Sequence, residues 1–287
     1  MRWQARREKF RAILEGDHFV HPGSVFDPMS ARIAEDLGFE VGMFAGSVAS
    51  MAVLGAPDLI LLTLSEFAGQ AYRINRAGGL PLLCDADHGY GNALNVARTV
   101  EELENAGVAA LTIEDTDLPV PFASGDKPSL ISVDEGAGKM RAALAARVDP
   151  ALIIAGRTSA MSIAGLDEAV RRIQAYAEAG VDALFLTGVK SRAELDALSG
   201  AVSVPLFLSG APGELADPEY LSRRRVRVVL QGHMPVMAAM RAVHDTLKAL
   251  RGGTPPAELE GVPGADFIQR ITRVGDYQAM LDEYLGG

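Results

Sequence analysis

Three times a helical pattern closes on a glycine and passes at once into a short apolar run: LGFEVG (37–42), AGVAAL (106–111) and AGVDAL (179–184). Glycine supplies the left-handed residue that ends a helix. The strand that follows immediately makes each stretch the αβ turn of a repeating unit. Eight apolar runs punctuate the chain, at 19–26, 40–46, 80–85, 109–115, 151–157, 182–188, 204–208 and 226–230. Most are nearly continuous rather than alternating, the pattern of parallel strands covered on both faces. The helices between them carry their own punctuation. Asp27 is placed to cap a helix with Pro28 at its first position and Gly38 beyond its end, while TVEELENAG closes on Gly107 and LDEAVRRIQAYAEAG on Gly180.

Eight βα units in roughly 230 residues predict an α/β fold of the (β/α)8 TIM-barrel type. A doubly wound sheet would want a glycine-rich phosphate loop after its first strand. HPGSVFDPMS is not one, and neither GxGxxG nor GxxxxGK[ST] occurs anywhere in the chain. Residues 1–250 are expected to form the barrel with an N-terminal helix, MRWQARREKFRAIL, read as exposed and not as a signal peptide. After the linker-like RGGTPPAELEGVPG, residues 251–287 are expected to add helices that pack on the barrel or on a neighbouring subunit.

With 27 basic and 37 acidic residues the net charge is −10, which argues against nucleic acid or an anionic membrane as partner. The one basic cluster, RRRVR at 223–227, reads as solvated surface ahead of a strand. No run approaches the ~20 apolar residues of a membrane span. A single cysteine excludes an internal disulfide framework and a multi-cysteine zinc site, and it fits a reducing cytoplasm.

A barrel builds its active site at the C-terminal ends of its strands. The polar residues at those ends are Gly46-Ser47, Asp85-Ala86-Asp87-His88, Glu114-Asp115, Arg157-Thr158, Thr187 with Lys190, and Gln231-Gly232-His233. Asp85 and Asp87 stand two apart and share a face if the strand persists. With Glu114 on the next strand they bring three carboxylates to one mouth, and hard oxygen ligands without a thiolate suggest Mg²⁺ or Mn²⁺. The plainer reading is that the two aspartates cap the next helix or pair with Arg98 or Arg157. A guanidinium aimed into a barrel mouth suits a substrate carboxylate or phosphate. His233 reads equally as a satisfied strand-end histidine, His88 as a supporting residue, and His18, His21 and His244 as bystanders.

CDADHGYGNALNVARTVEELENAGVAALTIED (84–115), with GSVASMAVLGAPD (46–58) and IIAGRTSA (153–160), resembles the phosphoenolpyruvate mutase/isocitrate lyase superfamily. GSVFDPMSARIAEDLGFE and VLQGHMPVMAAMRAVHDTL are most similar to its branch of small oxaloacetate decarboxylases. The resemblance implies that Asp85 binds Mg²⁺ most directly, that Asp87 and Glu114 hold the waters around it, and that Asp58 supports that shell. It also implies that Ser47, with the N–H groups of Ser47 and Val48, receives substrate oxygens. Arg157 would clamp a carboxylate, and His233 would bond the substrate near the group that leaves. A homotetramer joined through C-terminal helices is the implied assembly.

Superfamily members that release succinate carry a Lys-x-Cys-Gly-His loop after strand 4. Here that stretch is TDLPVPFASGDKPSLISVDEG (116–136), without Cys or His, and only Asp126 and Lys127 at its tip could carry a proton. Cys84 lies inside strand 3, where a buried thiol is usually inert. The expected chemistry is therefore decarboxylation of a 2-oxo dicarboxylate. Phosphonopyruvate or carboxyphosphoenolpyruvate chemistry and a related C–C lyase are the in-family alternatives. Outside the family stand a Schiff-base aldolase using Lys190 and a non-catalytic ligand binder.

Overall fold

The computed structural model of the chain describes residues 3–122, 125 and 127–286. Eight strands form one sheet in sequence order: β1 (Gly23–Ser24), β2 (Gly42–Phe44), β3 (Leu82–Asp85), β4 (Ala110–Glu114), β5 (Ile153–Thr158), β6 (Ala183–Leu186), β7 (Leu206–Leu208) and β8 (Val226–Val229). Every neighbouring pair is parallel. Val20 bridges Val228, its N–H donating to the Arg227 carbonyl at 3.0 Å while its own carbonyl accepts from Val229 N–H at 3.0 Å. The last strand thus meets the chain just ahead of the first, as a (β/α)8 barrel requires. All eight expected strands are present. The first is split because Pro22 has no N–H to give to a ladder. Every strand residue is buried except Arg157.

The described helices of the first compact unit, Met1–Gly232, are α1 (Gln4–Glu15), α2 (Pro28–Asp36), α3 (Gly46–Ala49), α4 (Leu64–Arg76), α5 (Ala93–Asn105), α6 (Val133–Ala146), α7 (Ala160–Ile163), α8 (Leu166–Ala179), α9 (Arg192–Ala201) and α10 (Pro218–Arg223). Asp27 caps α2 as its sequence predicts, accepting from Ser30 N–H at 2.7 Å while the Ser30 hydroxyl accepts from Asp27 N–H at 3.0 Å. Gly38, Gly107 and Gly180 close their helices at φ of +82°, +87° and +98°, the left-handed turn that the three repeated junctions predict. The second unit, His233–Gly287, holds α11 (Met234–Arg251), α12 (Ala265–Thr272) and α13 (Val274–Leu285).

Two sequence expectations fail for one reason. Helix α1 is not an exposed helix, because Arg6, Arg7, Phe10, Ile13 and Leu14 are buried. Phe10 meets Phe207 of β7 with ring centroids 6.2 Å apart. Arg6 donates to the Asn75 and Gly78 carbonyls at 2.9 and 2.6 Å. Arg7 donates to the Val108 and Glu104 carbonyls at 2.9 and 2.5 Å and to Asp149 at 2.7 Å. The carbonyls that end α4 and α5 have no intrahelical donor, and guanidinium forks supply one. RRRVR is likewise only partly solvated. Arg225 donates to Ser199 O in the last turn of α9 and to Val202 O just beyond it at 2.6 Å, and Arg227 is buried within β8.

Arg7→Ala should therefore cost about 3–5 kcal/mol of unfolding free energy, because it strands the buried Asp149 carboxylate. Urea titration of both proteins checks this, and a loss below about 1 kcal/mol would show the ion pair to be incidental.

Candidate active site

β-Ladder register brings the charged residues together. In the β3–β4 ladder Asp85 lies opposite Thr112, and in the β4–β5 ladder Glu114 lies opposite Arg157. The Thr112 hydroxyl donates to Asp85 Oδ1 at 2.9 Å, and Arg157 Nη1 donates to Asp85 Oδ2. Arg157 Nη2 stands 3.2 Å from Glu114 Oε2, and its Cζ lies 5.4 Å from the centre of the Phe185 ring. Of the two pairings weighed for the aspartates, Asp85 takes Arg157; Arg98 pairs with Glu102 on the surface of α5.

Asp87 arrives by a different route from strand alternation. β3 stops at Asp85, and Asp87 is left-handed at φ +48°, followed by Gly89 at +79°, Tyr90 at +59° and Gly91 at +145°. Neighbouring groups hold this turn. Ala86 N–H donates to Thr112 O at 3.0 Å, Gly89 N–H to Ala86 O at 2.9 Å and Glu114 N–H to Asp87 O at 2.8 Å, while the Thr99 hydroxyl donates to Gly89 O at 3.0 Å. The Asp87 carboxylate lies against Gly46 so closely that a Cβ there would fall 2.6 Å from its Oδ2. The strand-2 and strand-3 ends therefore meet through a glycine that cannot be replaced without moving Asp87.

The electrostatics of the cluster are those of excess negative charge. Burial pushes the Asp87 carboxyl well above the usual carboxylate range, and Asp85, Glu114 and Asp58 add to the shift. Burial also carries Glu114 up to about 7, against the pull of Arg157. One guanidinium does not balance these carboxylates, and both the Arg157 Nε and the Tyr90 hydroxyl are buried without a partner among the described residues. Among the described residues no three Asp, Glu, His or Cys side chains form a ready cage for an ion. Mg²⁺ keeps several waters and takes only one or two carboxylates directly. The donor set, all oxygen and net negative, fits such an ion.

The other expected residues divide. Ser47 and Val48 lie in the first turn of α3, where N–H groups have no intrahelical acceptor. Helix α3 continues as a π-helical turn over Ser50–Leu54, and Asp58 follows in an exposed loop. His233 is the N-cap residue of α11 and opens the second unit. His88 is buried, and burial with nearby Lys139 lowers its pKa to about 4, which keeps its ring neutral. Lys190 is exposed just ahead of α9, its N–H donating to Glu194 at 2.7 Å, so it begins a helix in solvent.

The loop after β4 has a closed neck. Thr116 bridges Leu130, Asp117 N–H donates to Ser129 O at 2.9 Å, and Ile131 N–H donates to Asp115 O at 3.0 Å. Arg172 braces that neck, donating to Asp115 at 3.0 Å and to Ile131 O at 2.8 Å, with the Tyr176 hydroxyl on Asp115 at 2.7 Å. Between the loop and Leu59 lies a cavity of about 420 Å³, lined in part by Leu118, Val120 and Lys127. Asp126 lies outside the described residues.

Cys84 is fully buried, and burial beside Asp85 raises its thiol well above the usual range, the opposite of what an acid–base cysteine needs. Cys84→Ser should cost about 1–3 kcal/mol if the hydroxyl finds no partner, with turnover per folded molecule unchanged. A large fall in kcat in a well-folded Cys84→Ser protein would restore the thiol to the chemistry.

Two residues of the site escape a reading of the sequence. Thr112 is signalled only as one hydroxyl in the apolar run AALTIED. Lys139 on α6 carries no signal in the sequence, yet it is 3% exposed and donates to the His88 carbonyl at 3.0 Å.

Comparison with known proteins gives the family. Residues 10–251 match the family model described as phosphoenolpyruvate phosphomutase. A protein of Bradyrhizobium diazoefficiens named oxaloacetate decarboxylase is 58% identical over 286 residues, covering 100% of this chain and 99% of its own. One of the same name from Rhodopseudomonas palustris is 55% identical over 286 residues, again 100% and 99% of the two chains. The crystal structure of a phosphonopyruvate hydrolase in complex with oxalate and Mg²⁺ superposes with a TM-score of 0.85 at 29% identity, covering 98% of this chain and 99% of the other. The family model spans most of the chain, relatives are more than half identical over nearly its whole length, and the chain belongs to the phosphoenolpyruvate phosphomutase family.

Proposed function

We propose that the chain decarboxylates oxaloacetate to pyruvate and CO₂ with the help of Mg²⁺, Mn²⁺ being the alternative ion. The observation that carries the reading is the mouth itself: Arg157, the one strand residue that is not buried, lies between Asp85 and Glu114. The names borne by relatives at 58% and 55% identity over nearly the whole chain support the substrate.

Asp85 would hold the ion directly, with Asp87 and Glu114 reaching it through water and Asp58 supporting them. When bound, Mg²⁺ supplies Lewis-acid polarisation of the 2-oxo group and charge to stabilise an enolate. The residues of the chain do the rest. The planar fork of Arg157 receives a substrate carboxylate in two parallel hydrogen bonds. The Ser47 hydroxyl and the N–H groups of Ser47 and Val48 donate to the oxygen on which charge builds, a form of stabilisation that is strongest when donors are fixed in advance. His233 bonds the carboxylate that leaves. As the C3–C4 bond of oxaloacetate breaks, CO₂ departs and its bonding pair becomes the enolate. A solvent proton then added at C3 gives pyruvate. Neither Cys nor His stands on the 116–136 loop, so the acid that a succinate-releasing lyase needs is missing, and the loop serves to exclude water.

The same reading has the protein act in the cytoplasm as a homotetramer joined through its C-terminal helices. Exposed Val243 and Leu247 on α11 and Tyr277 and Leu281 on α13 support a second copy as the cover. Among the described residues no helix is long and apolar enough to cross a membrane.

Incubation with Mg²⁺ and, separately, oxaloacetate, phosphonopyruvate and isocitrate tests the activity. Pyruvate from oxaloacetate alone is the expected result. Phosphate from phosphonopyruvate, or glyoxylate from isocitrate, at a higher kcat/KM would move the chain to another branch of its family.

A further inference from the structure

The turn that carries Asp87 is unusual in how its carbonyls are held. Those of Ala86, Asp87 and Gly89 accept from Gly89 N–H, Glu114 N–H and the Thr99 hydroxyl, all neutral donors. The His88 carbonyl instead accepts from the ammonium of Lys139, at 3.0 Å. Lys139 sits on the face of α6 whose other buried members are Gly136, Ala137, Met140 and Ala143. The carboxylates around it are those of Glu135, Asp117, Glu114 and Asp115. Burying an ammonium among small apolar groups is expensive unless it is paired and bonded, and a methionine would fill the same space without that cost. Charge-assisted hydrogen bonds are roughly twice as strong as neutral ones. The strongest restraint on the turn therefore falls on the residue next to Asp87, which holds a left-handed conformation at φ +48° that an aspartate adopts only when its surroundings impose it.

We propose that Lys139 is a positioning residue for the divalent cation site: by donating to the His88 carbonyl it holds the left-handed turn that aims the Asp87 carboxylate toward Asp85 and Glu114. The proposal rests on the metal-assisted reading above for its function, while the restraint itself is a property of the metal-free chain. Lys139 touches neither substrate nor ion in this scheme. It makes the carboxylate set pre-formed, so that binding the ion does not have to order the turn first.

Lys139→Met and Lys139→Arg test it, Mn²⁺ being the probe. In the Met protein, Mn²⁺ binding followed by electron paramagnetic resonance should weaken about 10- to 100-fold, the loss usual when a group that orients a ligand is removed. In that protein oxaloacetate KM at saturating Mn²⁺ should stay within about twofold, because positioning of the ion is what was lost. The Arg protein, which keeps a charged donor, should recover at least tenfold of the lost affinity. Hydrogen exchange at the Gly89 and Glu114 amides of the metal-free Met protein should quicken at least tenfold while amides of β6 and β7 keep their protection. Unchanged Mn²⁺ affinity in a folded Met protein, or unchanged exchange at those two amides, overturns the proposal. If the wild-type protein itself binds no Mn²⁺, the metal-assisted reading fails, and the exchange measurement alone decides whether Lys139 holds the turn. Should the Met chain not fold, the Arg protein carries the test: Mn²⁺ affinity within about threefold of wild type is expected, and a tenfold loss overturns it.

Discussion

Asp85→Ala is expected to lower kcat for oxaloacetate decarboxylation by about a thousandfold or more, and saturating Mg²⁺ should not restore it. In the proposed scheme Asp85 touches the ion directly; it is buried, oriented by the Thr112 hydroxyl and neutralised in part by Arg157. A Lewis acid at the 2-oxo group is worth several kcal/mol of transition-state charge stabilisation, and each 1.36 kcal/mol or so is tenfold in rate. Removing the side chain also deprives Arg157 of one partner and Thr112 of its acceptor, at about 1–3 kcal/mol of stability. Asp85→Asn separates the two effects, since it keeps the volume and an acceptor for Thr112 but loses the charge. It should fold nearly as well as the wild type and be nearly as inactive as the Ala protein. Excess chelator should abolish wild-type activity, and Mg²⁺ or Mn²⁺ should bring it back. Full turnover in chelator, or an active Asp85→Asn protein, would remove the cation from the reaction.

Arg157→Lys should raise oxaloacetate KM about ten- to a hundredfold while circular dichroism stays native. The charge is conserved, so a residue needed only to balance carboxylates would tolerate the change. The guanidinium, however, reaches Asp85 with one nitrogen and Glu114 with another, while its face covers Phe185. An ammonium can satisfy only one of those oxygens well at a time, and it cannot grip a substrate carboxylate with two parallel N–H groups. A hydrogen bond to a charged group is worth about 1.5–3 kcal/mol, which sets the range. Should KM and kcat both match the wild type, Arg157 is a structural counter-charge and substrate recognition lies elsewhere in the mouth.

The parts of the fold that were readable in the sequence are those decided within one or two turns of chain. A run such as ALIIAGR has no polar face to expose, so it must be a covered strand, and the helix caps at Asp27 and Gly180 are local hydrogen-bond and φ requirements. What escaped depends on partners far away in sequence. The arginines of α1 look like solvent-facing charges until the carbonyls that receive them, some 70 to 100 residues later, are brought beneath them. Lys139 is invisible for the same reason, since its acceptor lies 51 residues earlier. Asp87 is reached by other means than its spacing suggests. Two-residue spacing put it on a shared strand face, whereas a left-handed φ, which the flanking glycines hint at but do not specify, brings it round. The exclusion of a lid cysteine needed no structure, because it is a statement about which atoms the loop contains.

The arginines of α1 also bear on the order in which the chain becomes a protein. Arg7 closes on Asp149, 142 residues later, and Arg11 on Asp182, 171 residues later. As the polypeptide emerges from the ribosome, α1 is made well ahead of everything that can hold it. Contacts between such distant segments form only after the intervening chain has been ordered. Helix α1 can meet the Asn75, Gly78, Glu104 and Val108 carbonyls earlier, but its ion pairs must wait until the chain as far as Asp149 and Asp182 has been ordered. Those pairs then act as a latch on a nearly finished barrel, and a segment made early is secured late.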